Sequence, residues 1–284
     1  MDRRDFLHRL AALATAPAAF APGQRSGPAP RRLQRIGVQL YTLRELAARD
    51  LERTLAAIAA AGYGEVELLT SFGNYGHAPA EVRRMLDAHG LRAPSTHVGA
   101  GHIAVNLEQH LEEATTLGHE YLVVASLGTD ESRTLDDYRA WADTLNRAAE
   151  TARRAGVWLG FHNHAGDFVP RDGRIPYDVF VERTDPALVR LQLDIGNLAS
   201  TGRDPLDYLR RYGARYWQFH VKDPARPPAT GDTVLGQGAL DLPRILRAID
   251  RPDEKHFYVE QEQHAGDPLD SIRRDYAYLS ALEL

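Results

Sequence analysis

Four short stretches of this chain collect residue types that are costly to bury and useful for chemistry. They are Phe161-His162-Asn163-His164, Asp194-Ile195-Gly196-Asn197, His220-Val221-Lys222-Asp223 and Glu260-Gln261-Glu262. Glu65 with Glu67, and Thr96-His97, have the same character. All of them lie in, or at the end of, a β-branched, aromatic or aliphatic run that predicts a strand. An ionisable group buried without a partner costs on the order of several kcal/mol, so such a concentration calls for a neutralising cation or a polyol. Asp194, His220 and Glu260 offer two carboxylates and an imidazole from three consecutive strands. His162, one strand earlier, is the natural fourth ligand, with His164 as the other candidate. Oxygen and nitrogen donors without sulfur suit a divalent metal, Mn²⁺ first, with Co²⁺, Mg²⁺ or Zn²⁺ as alternatives. Singly, each residue has a plainer reading: a strand-end His is often a satisfied core residue, and Asp before Ile-Gly can be a helix cap. Their matching positions on successive strands carry the metal reading.

The elements that must position these groups recur from residue 36 onward. Strands are predicted at Ile36–Tyr41, Glu65–Leu69, Ala93–Val98, Tyr121–Ala125, Val157–His162, Val189–Asp194, Tyr216–Val221 and Phe257–Glu260. Gly62, Gly90, Gly118, Gly156 and Gly213 each stand just ahead of a strand, where a preceding helix ends. Asp50 is a predicted N-cap for a helix carrying Leu51, Leu55 and Ile58, and Tyr138, Trp141, Leu145 and Ala148 share one helical face. Eight strands alternating with helices predict an α/β fold, a single (β/α)8 TIM barrel. A doubly wound sheet would place a Gly-rich phosphate turn after its first strand, where this chain has Gln39-Leu40-Tyr41-Thr42-Leu43-Arg44.

The 284 residues are 43% hydrophobic and 26% charged, which excludes disorder, and they contain no cysteine, which excludes disulfides and thiolate metal sites. Residues 1–33 read as a twin-arginine export signal, Arg3-Arg4-Asp5-Phe6-Leu7 followed by an Ala-rich stretch, and a flexible linker. The barrel domain is expected over 34–284, with a periplasmic or secreted location. Beyond residue 35 there are 27 basic and 37 acidic residues. That acidic body repels polyphosphate, so nucleic acid is not an expected partner. No apolar run reaches the ~20 residues that span a bilayer, so no membrane span is expected once the signal is removed. Nothing in the sequence excludes a homo-oligomer.

Taken in order, Ile36-Gly37-Val38-Gln39-Leu40-Tyr41, Gly64-Glu65-Val66-Glu67-Leu68, Ser95-Thr96-His97-Val98, Leu193-Asp194-Ile195-Gly196-Asn197, Phe219-His220-Val221-Lys222-Asp223, Leu235-Gly236-Gln237-Gly238 and Val259-Glu260 resemble the xylose-isomerase-like TIM-barrel superfamily of sugar phosphate isomerases and epimerases. The resemblance runs from about residue 34 to the C-terminus. It implies a divalent metal held by Glu, Asp, His and Glu from strands five to eight. Asp194, His220 and Glu260 match the last three. At the first position this chain has His162-Asn163-His164 where Glu-Asn-His is common. The family's epimerases exchange a proton between glutamates on opposite faces of the sugar, so the imidazole here weighs against two-sided epimerisation.

The resemblance implies catalysis through an enediolate, with Glu260 or His162 moving the proton and Lys222 stabilising oxyanion charge or pairing with Asp223. Glu67, His97, His164 and Asn197 would bind the hydroxyls of a small carbohydrate. Gly236 and Gly238 resemble a phosphate-cradling turn, but no basic cluster accompanies them, so the substrate is expected to be non-phosphorylated. The leading expectation is a metal-dependent sugar isomerase or epimerase. A metal-dependent lyase or dehydratase acting on a keto-sugar or keto-glycoside, like inosose dehydratase, is the alternative, and a non-catalytic sugar-binding barrel the third. A DNA-repair endonuclease of the related barrel type would need a three-zinc cluster and a basic surface.

Overall fold

The computed structural model describes residues 31–127 and 133–284. The expected export signal and most of the expected linker lie at residues 1–30, outside the described residues. Eight parallel strands close into a barrel: β1 (Ile36–Gln39), β2 (Glu65–Leu69), β3 (Arg92–Val98), β4 (Tyr121–Val124), β5 (Trp158–His162), β6 (Val189–Asp194), β7 (Tyr216–Val221) and β8 (His256–Val259). Chain neighbours are sheet neighbours throughout, and β8 completes the ring by pairing Phe257 with Ile36 and Val259 with Val38. Every expected strand is present within two residues of its expected ends. The largest difference is at β1, where the Gln39 side chain accepts the Tyr41 N–H at 3.2 Å and turns the chain into a 3-10 helix over Leu40–Leu43.

Helices occupy the intervals between strands; after the short helix Arg44–Arg49 comes Leu51–Ala60, whose first turn is capped by the Asp50 carboxylate accepting the Arg53 N–H at 2.9 Å. The 20-residue helix Leu135–Arg154 buries Tyr138, Ala142, Leu145, Ala149 and Ala152. Trp141 and Ala148, expected on that buried face, lie on its flank, packed against the core but partly exposed. Gly118 ends the helix Leu107–Leu117 at φ 78°, a conformation that costs a residue with a Cβ more. At the start of the barrel Leu33 is buried, and the Leu284 N–H donates to the Arg31 carbonyl at 2.8 Å.

Strand alternation separates two environments. Val38, Val66, Leu68, Leu122, Leu159, Phe161, Leu191, Leu193, Phe219, Val221, Phe257 and Val259 point outward into one apolar core shared with the helices. The inward set is polar and bonded across the lumen. Gln192 Nε2 on β6 donates to Glu67 Oε1 on β2 at 2.7 Å and to Gln218 Oε1 on β7 at 2.6 Å, and Ser95 Oγ on β3 donates to Glu67 Oε1 at 2.6 Å. Gly37 makes room for the Tyr258 ring, which a Cβ at 37 would approach to 2.6 Å. Arg190 lies 3.6 Å from the ring centres of both Trp158 and Trp217.

Beyond β7 the chain makes a two-residue ribbon, Asp223–Pro224 against Asp232–Thr233. The turn that follows is closed by Asp223, whose carboxylate accepts the N–H groups of Gly236 and Gly238 at 2.9 Å and of Leu240 at 3.2 Å. Those glycine amides therefore hold a side-chain carboxylate, not a phosphate. From the helix Pro268–Ala281, Asp275 accepts the Leu235 N–H at 2.8 Å through Oδ1, while its buried Oδ2 has no hydrogen-bond partner. Burial pushes the Asp275 carboxyl up to about 7, against the lowering effect of that hydrogen bond. The folded chain thus holds this proton more tightly than the unfolded chain, and stability falls as pH rises from about 4 to 7. We expect Asp275→Asn to remove up to ~1.4 kcal/mol per pH unit of that slope, read as urea midpoints at pH 5 and pH 8.

Candidate metal centre

β5 ends in His162, β6 ends in Asp194, His220 is the penultimate residue of β7, and Glu260 directly follows β8. One nitrogen or oxygen from each lies within 4.8 Å of the others, and all four residues are buried. The four residues expected to converge are brought together. His97, His162 and His220 form a second such group, sharing two members with the first.

Asp194 fills its expected capping role with one carboxylate oxygen and leaves the other turned into the site. Its Oδ1 accepts the Asn197 N–H at 2.7 Å and caps the short helix Ile195–Ser200. Its Oδ2 is buried and accepts no hydrogen bond, with Lys222 Nζ at 3.2 Å and His162 Nε2 at 3.9 Å. Burial raises the Asp194 carboxyl to about 6, although Lys222 opposes the rise. Asn163 locks the backbone of Asp194 in place, donating from Nδ2 to its carbonyl at 3.1 Å and accepting its N–H at 3.0 Å.

Lys222 is buried, neither exposed nor paired with Asp223. Its Nζ lies 2.9 Å from Glu260 Oε2 and 2.6 Å from Glu262 Oε1, besides Asp194. Burial would lower its pKa, but the carboxylates of Asp194, Glu260 and Glu262 raise it well above the usual ammonium value. Gly196 gives the lysine its path: a Cβ there would meet Lys222 Cβ at 2.7 Å and its carbonyl oxygen at 3.0 Å.

His220 sits between two acids, Nδ1 at 3.0 Å from Glu260 Oε2 and Nε2 at 2.5 Å from Glu67 Oε2. Burial alone would favour the neutral ring, but the charges of Glu260 and Glu67 outweigh it and raise His220 to about 10. Glu67 responds in the opposite sense. Burial would raise it, yet His97 and His220 bring it down to about 2. The Glu67 carboxylate also accepts from Gln39 Nε2 at 2.7 Å, Ser95 Oγ and Gln192 Nε2, so both its oxygens are engaged inside the barrel.

Because Glu67 is ionised and only accepts, the amide nitrogen of Gln192 must face it, and Gln192 Oε1 must face the other way. That oxygen lies 2.9 Å from His162 Nδ1 and 2.8 Å from His97 Nε2. His162 therefore carries its proton on Nδ1 and turns the Nε2 lone pair toward Asp194. Burial, then the positive charge of His220, depresses the His162 pKa well below the usual range. A neutral imidazole with a free Nε2 beside a carboxylate oxygen that accepts no hydrogen bond is a donor set that fits a divalent cation.

The expected sugar-binding residues separate in space. Glu67 and His97 are buried in the lumen, the His97 ring stacked on His220 at 5.2 Å. His164 lies exposed at the rim, its ring centre 4.9 Å from that of His162. Asn197 is half-buried, with Oδ1 3.4 Å from Lys222 Nζ. Gln39, Ser95, Asn163, Gln192, Gln218 and Glu262 had no individual role in the sequence reading. Gln192 stands two residues before Asp194 and Gln218 two before His220, so the period-2 signal for a shared inward face was present in the sequence.

A family model described as xylose isomerase-like TIM barrel matches residues 55–282. An inosose dehydratase of Lacticaseibacillus casei is 25% identical over 270 residues, 81% of this chain and 89% of that protein. A sugar phosphate isomerase/epimerase from Parabacteroides distasonis superposes with a TM-score of 0.76 at 23% identity, over 90% of this chain and 98% of that one. The IolI protein, solved with a zinc atom bound, superposes with a TM-score of 0.69 at 18% identity, over 86% of this chain and 96% of that one.

A His220 pKa near 10 means that the ring stays charged across the physiological range. Its contribution to stability is complete below the ordinary imidazole pKa and is lost as pH rises toward 10. In the metal-free protein we expect its ring resonances to stay constant in NMR between pH 6 and 8.5. In Glu67→Gln they should titrate within that interval, and a ring that titrates there in the unsubstituted chain would contradict the assignment.

Proposed function

The chain belongs to the xylose isomerase-like TIM barrel family, and we propose that it is a metal-dependent lyase that removes water or an alcohol from a keto-sugar or keto-glycoside. The observation that carries this reading is the asymmetry of the proton-moving groups. Glu260 is a carboxylate that burial would protonate but that Lys222 and His220 keep ionised, its pKa well below the usual range. Opposite it, strand β5 offers the neutral imidazole of His162 where a two-sided epimerisation calls for a second carboxylate. Glu67 does not fill that role, since its oxygens are already engaged by Gln39, Ser95, Gln192 and His220.

One carboxylate suffices for a one-sided elimination. Glu260 takes the proton from the carbon beside the keto group, and the electron pair left behind becomes a C=C bond as the C–O bond on the next carbon breaks. The Glu260 carboxyl then returns the proton to the departing oxygen, which leaves as water or an alcohol. Lys222, 2.9 Å from Glu260, keeps the base ionised and lies where developing oxyanion charge needs a cation. A divalent ion held by His162, Asp194, His220 and Glu260 would supply Lewis-acid polarisation of the keto group. Half of those donors are nitrogen, which suits Zn²⁺ and Co²⁺ as well as Mn²⁺. His164 and Asn197 at the rim are placed to meet sugar hydroxyls, with His97 deeper. Glu67 we assign to positioning, as the anion that aims His220. The similarity to an inosose dehydratase over four-fifths of the chain supports the lyase class. Export by the twin-arginine route would take the enzyme to keto-sugars outside the cytoplasm.

The test is the mass of the product. Incubation with 3-keto-glucosides, inosose, aldoses and ketoses in D₂O should yield a product lighter by water or by the aglycone. An unchanged mass with deuterium gained would identify an isomerase or epimerase instead, and sugar binding without deuterium exchange a binding protein. A separate measurement concerns the metal. Since His220 is protonated at pH 7 and must surrender a proton to ligate, binding of Zn²⁺ or Mn²⁺ should release about one proton, read by calorimetry in buffers of different ionisation enthalpy. Asp194→Ala should weaken that binding at least about a hundredfold, and full metal retention by this variant would remove the centre proposed.

A further inference from the structure

From an aromatic rim above the metal centre we infer that this chain takes a glycoside, a keto-sugar bearing a ring-shaped aglycone, and not a free monosaccharide. The inference rests on the lyase reading and specifies its leaving group. After β2 the chain turns through Gly73, Asn74 and Tyr75 at φ 61°, 48° and 56°, three successive left-handed residues of which two carry side chains. Such strain is held only where surrounding structure over-determines it, and it gathers at ligand sites. Here it presents Phe72, 46% exposed, with its ring edge-on to Tyr41 at 6.0 Å and to Tyr75 at 5.9 Å. The Tyr75 hydroxyl is buried and has no hydrogen-bond partner. The Arg44 guanidinium lies 4.4 Å from the Tyr41 ring centre.

The rim is joined to the site on two sides. Gln39 accepts the Tyr41 N–H and donates to the Glu67 carboxylate that aims His220. Arg44 donates to the Glu262 carbonyl at 3.3 Å, and the Glu262 carboxylate holds Lys222. A sugar with its reacting carbons beside the Glu260–Lys222 pair would thus extend its glycosidic substituent toward Tyr41, Phe72 and Tyr75. Those faces suit the apolar face of a pyranose or an aryl ring. The other exposed large apolar residues among the described residues are Val105, just past β3, and Val169, past β5. Both are aliphatic and outside this trio.

The experiment measures equilibrium binding of methyl β-glucoside, phenyl β-glucoside and cellobiose to the full chain, wild type, Phe72→Ala, Phe72→Tyr and Asp194→Ala. In the wild type we expect a ring-bearing glucoside to bind about tenfold tighter than the methyl glucoside. The aryl and disaccharide arms show which ring is preferred. Phe72→Ala should collapse that ratio toward one and Phe72→Tyr should restore it. Equal affinities for all three ligands in the wild type, or a ratio that survives Phe72→Ala, would overturn the inference. Asp194→Ala tests the sugar seat separately: weakening of all three ligands supports a seat at the metal centre beneath the rim. Unaltered binding there would overturn the reading of the centre, and with it a glycoside seated as described.

Discussion

A charged imidazole held between two carboxylates, out of solvent, is the constraint from which the rest of this barrel follows. His220 would be neutral if burial were its only influence. It is charged because Glu67 and Glu260 approach its two nitrogens, and they in turn stay ionised because it is charged. Such a trio is tolerable only if every remaining lone pair and proton is engaged. Gln39, Ser95 and Gln192 do this for Glu67, and Lys222 does it for Glu260. The polar lumen is therefore the support that lets a dense set of charges persist at the mouth. The outer, apolar faces of the same strands supply the burial that holds the barrel together.

Charge balance then favours a cation at this site. Glu67, Glu260 and Asp194 above its pKa of about 6 carry three negative charges against two on His220 and Lys222, while burial favours the neutral rings of His97 and His162. The surplus is negative, and the one buried carboxylate oxygen there that accepts no hydrogen bond, Asp194 Oδ2, lies on the side of His162 Nε2. A glutamate in place of His162 would add a further negative charge. The imidazole supplies a ligand atom without that charge, so a bound cation would keep more of its own and polarise a carbonyl more strongly.

The fold was legible because its signals are periodic: β-branched runs, glycines closing helices and Asp50 capping a helix read correctly from local chemistry. The converging residues were legible for a related reason, since a titratable residue at a strand end is conspicuous against an apolar run. Gln39, Gln192 and Gln218 were not, although they share the inward faces of Glu67, Asp194 and His220. A glutamine carries no charge and costs little to leave exposed, so only its partners reveal that it is structural. Lys222 stood out in the sequence, but not as the partner of Asp194 and Glu260, because pairing across β6, β7 and β8 depends on Gly196 leaving its path open. The Gly236–Gly238 turn resembled an anion cradle without a basic cluster, and its amides do bind an anion, the chain's own Asp223.

The two ends of the site obey different physics, and that difference separates chemistry from choice of substrate. In the lumen, moving one residue leaves a charge unpaired, so Glu67, Gln192 and His220 constrain one another and change only together. At the rim, Phe72 is half in solvent and its turn is held by backbone geometry, so a substitution there disturbs no buried charge. Loops after strands tolerate such change while the barrel fixes the reacting groups. On the proposed reading a common lumen can thus serve sugars of different size, the reaction being set by the base and cation within it and the partner ring by the loops after β1 and β2.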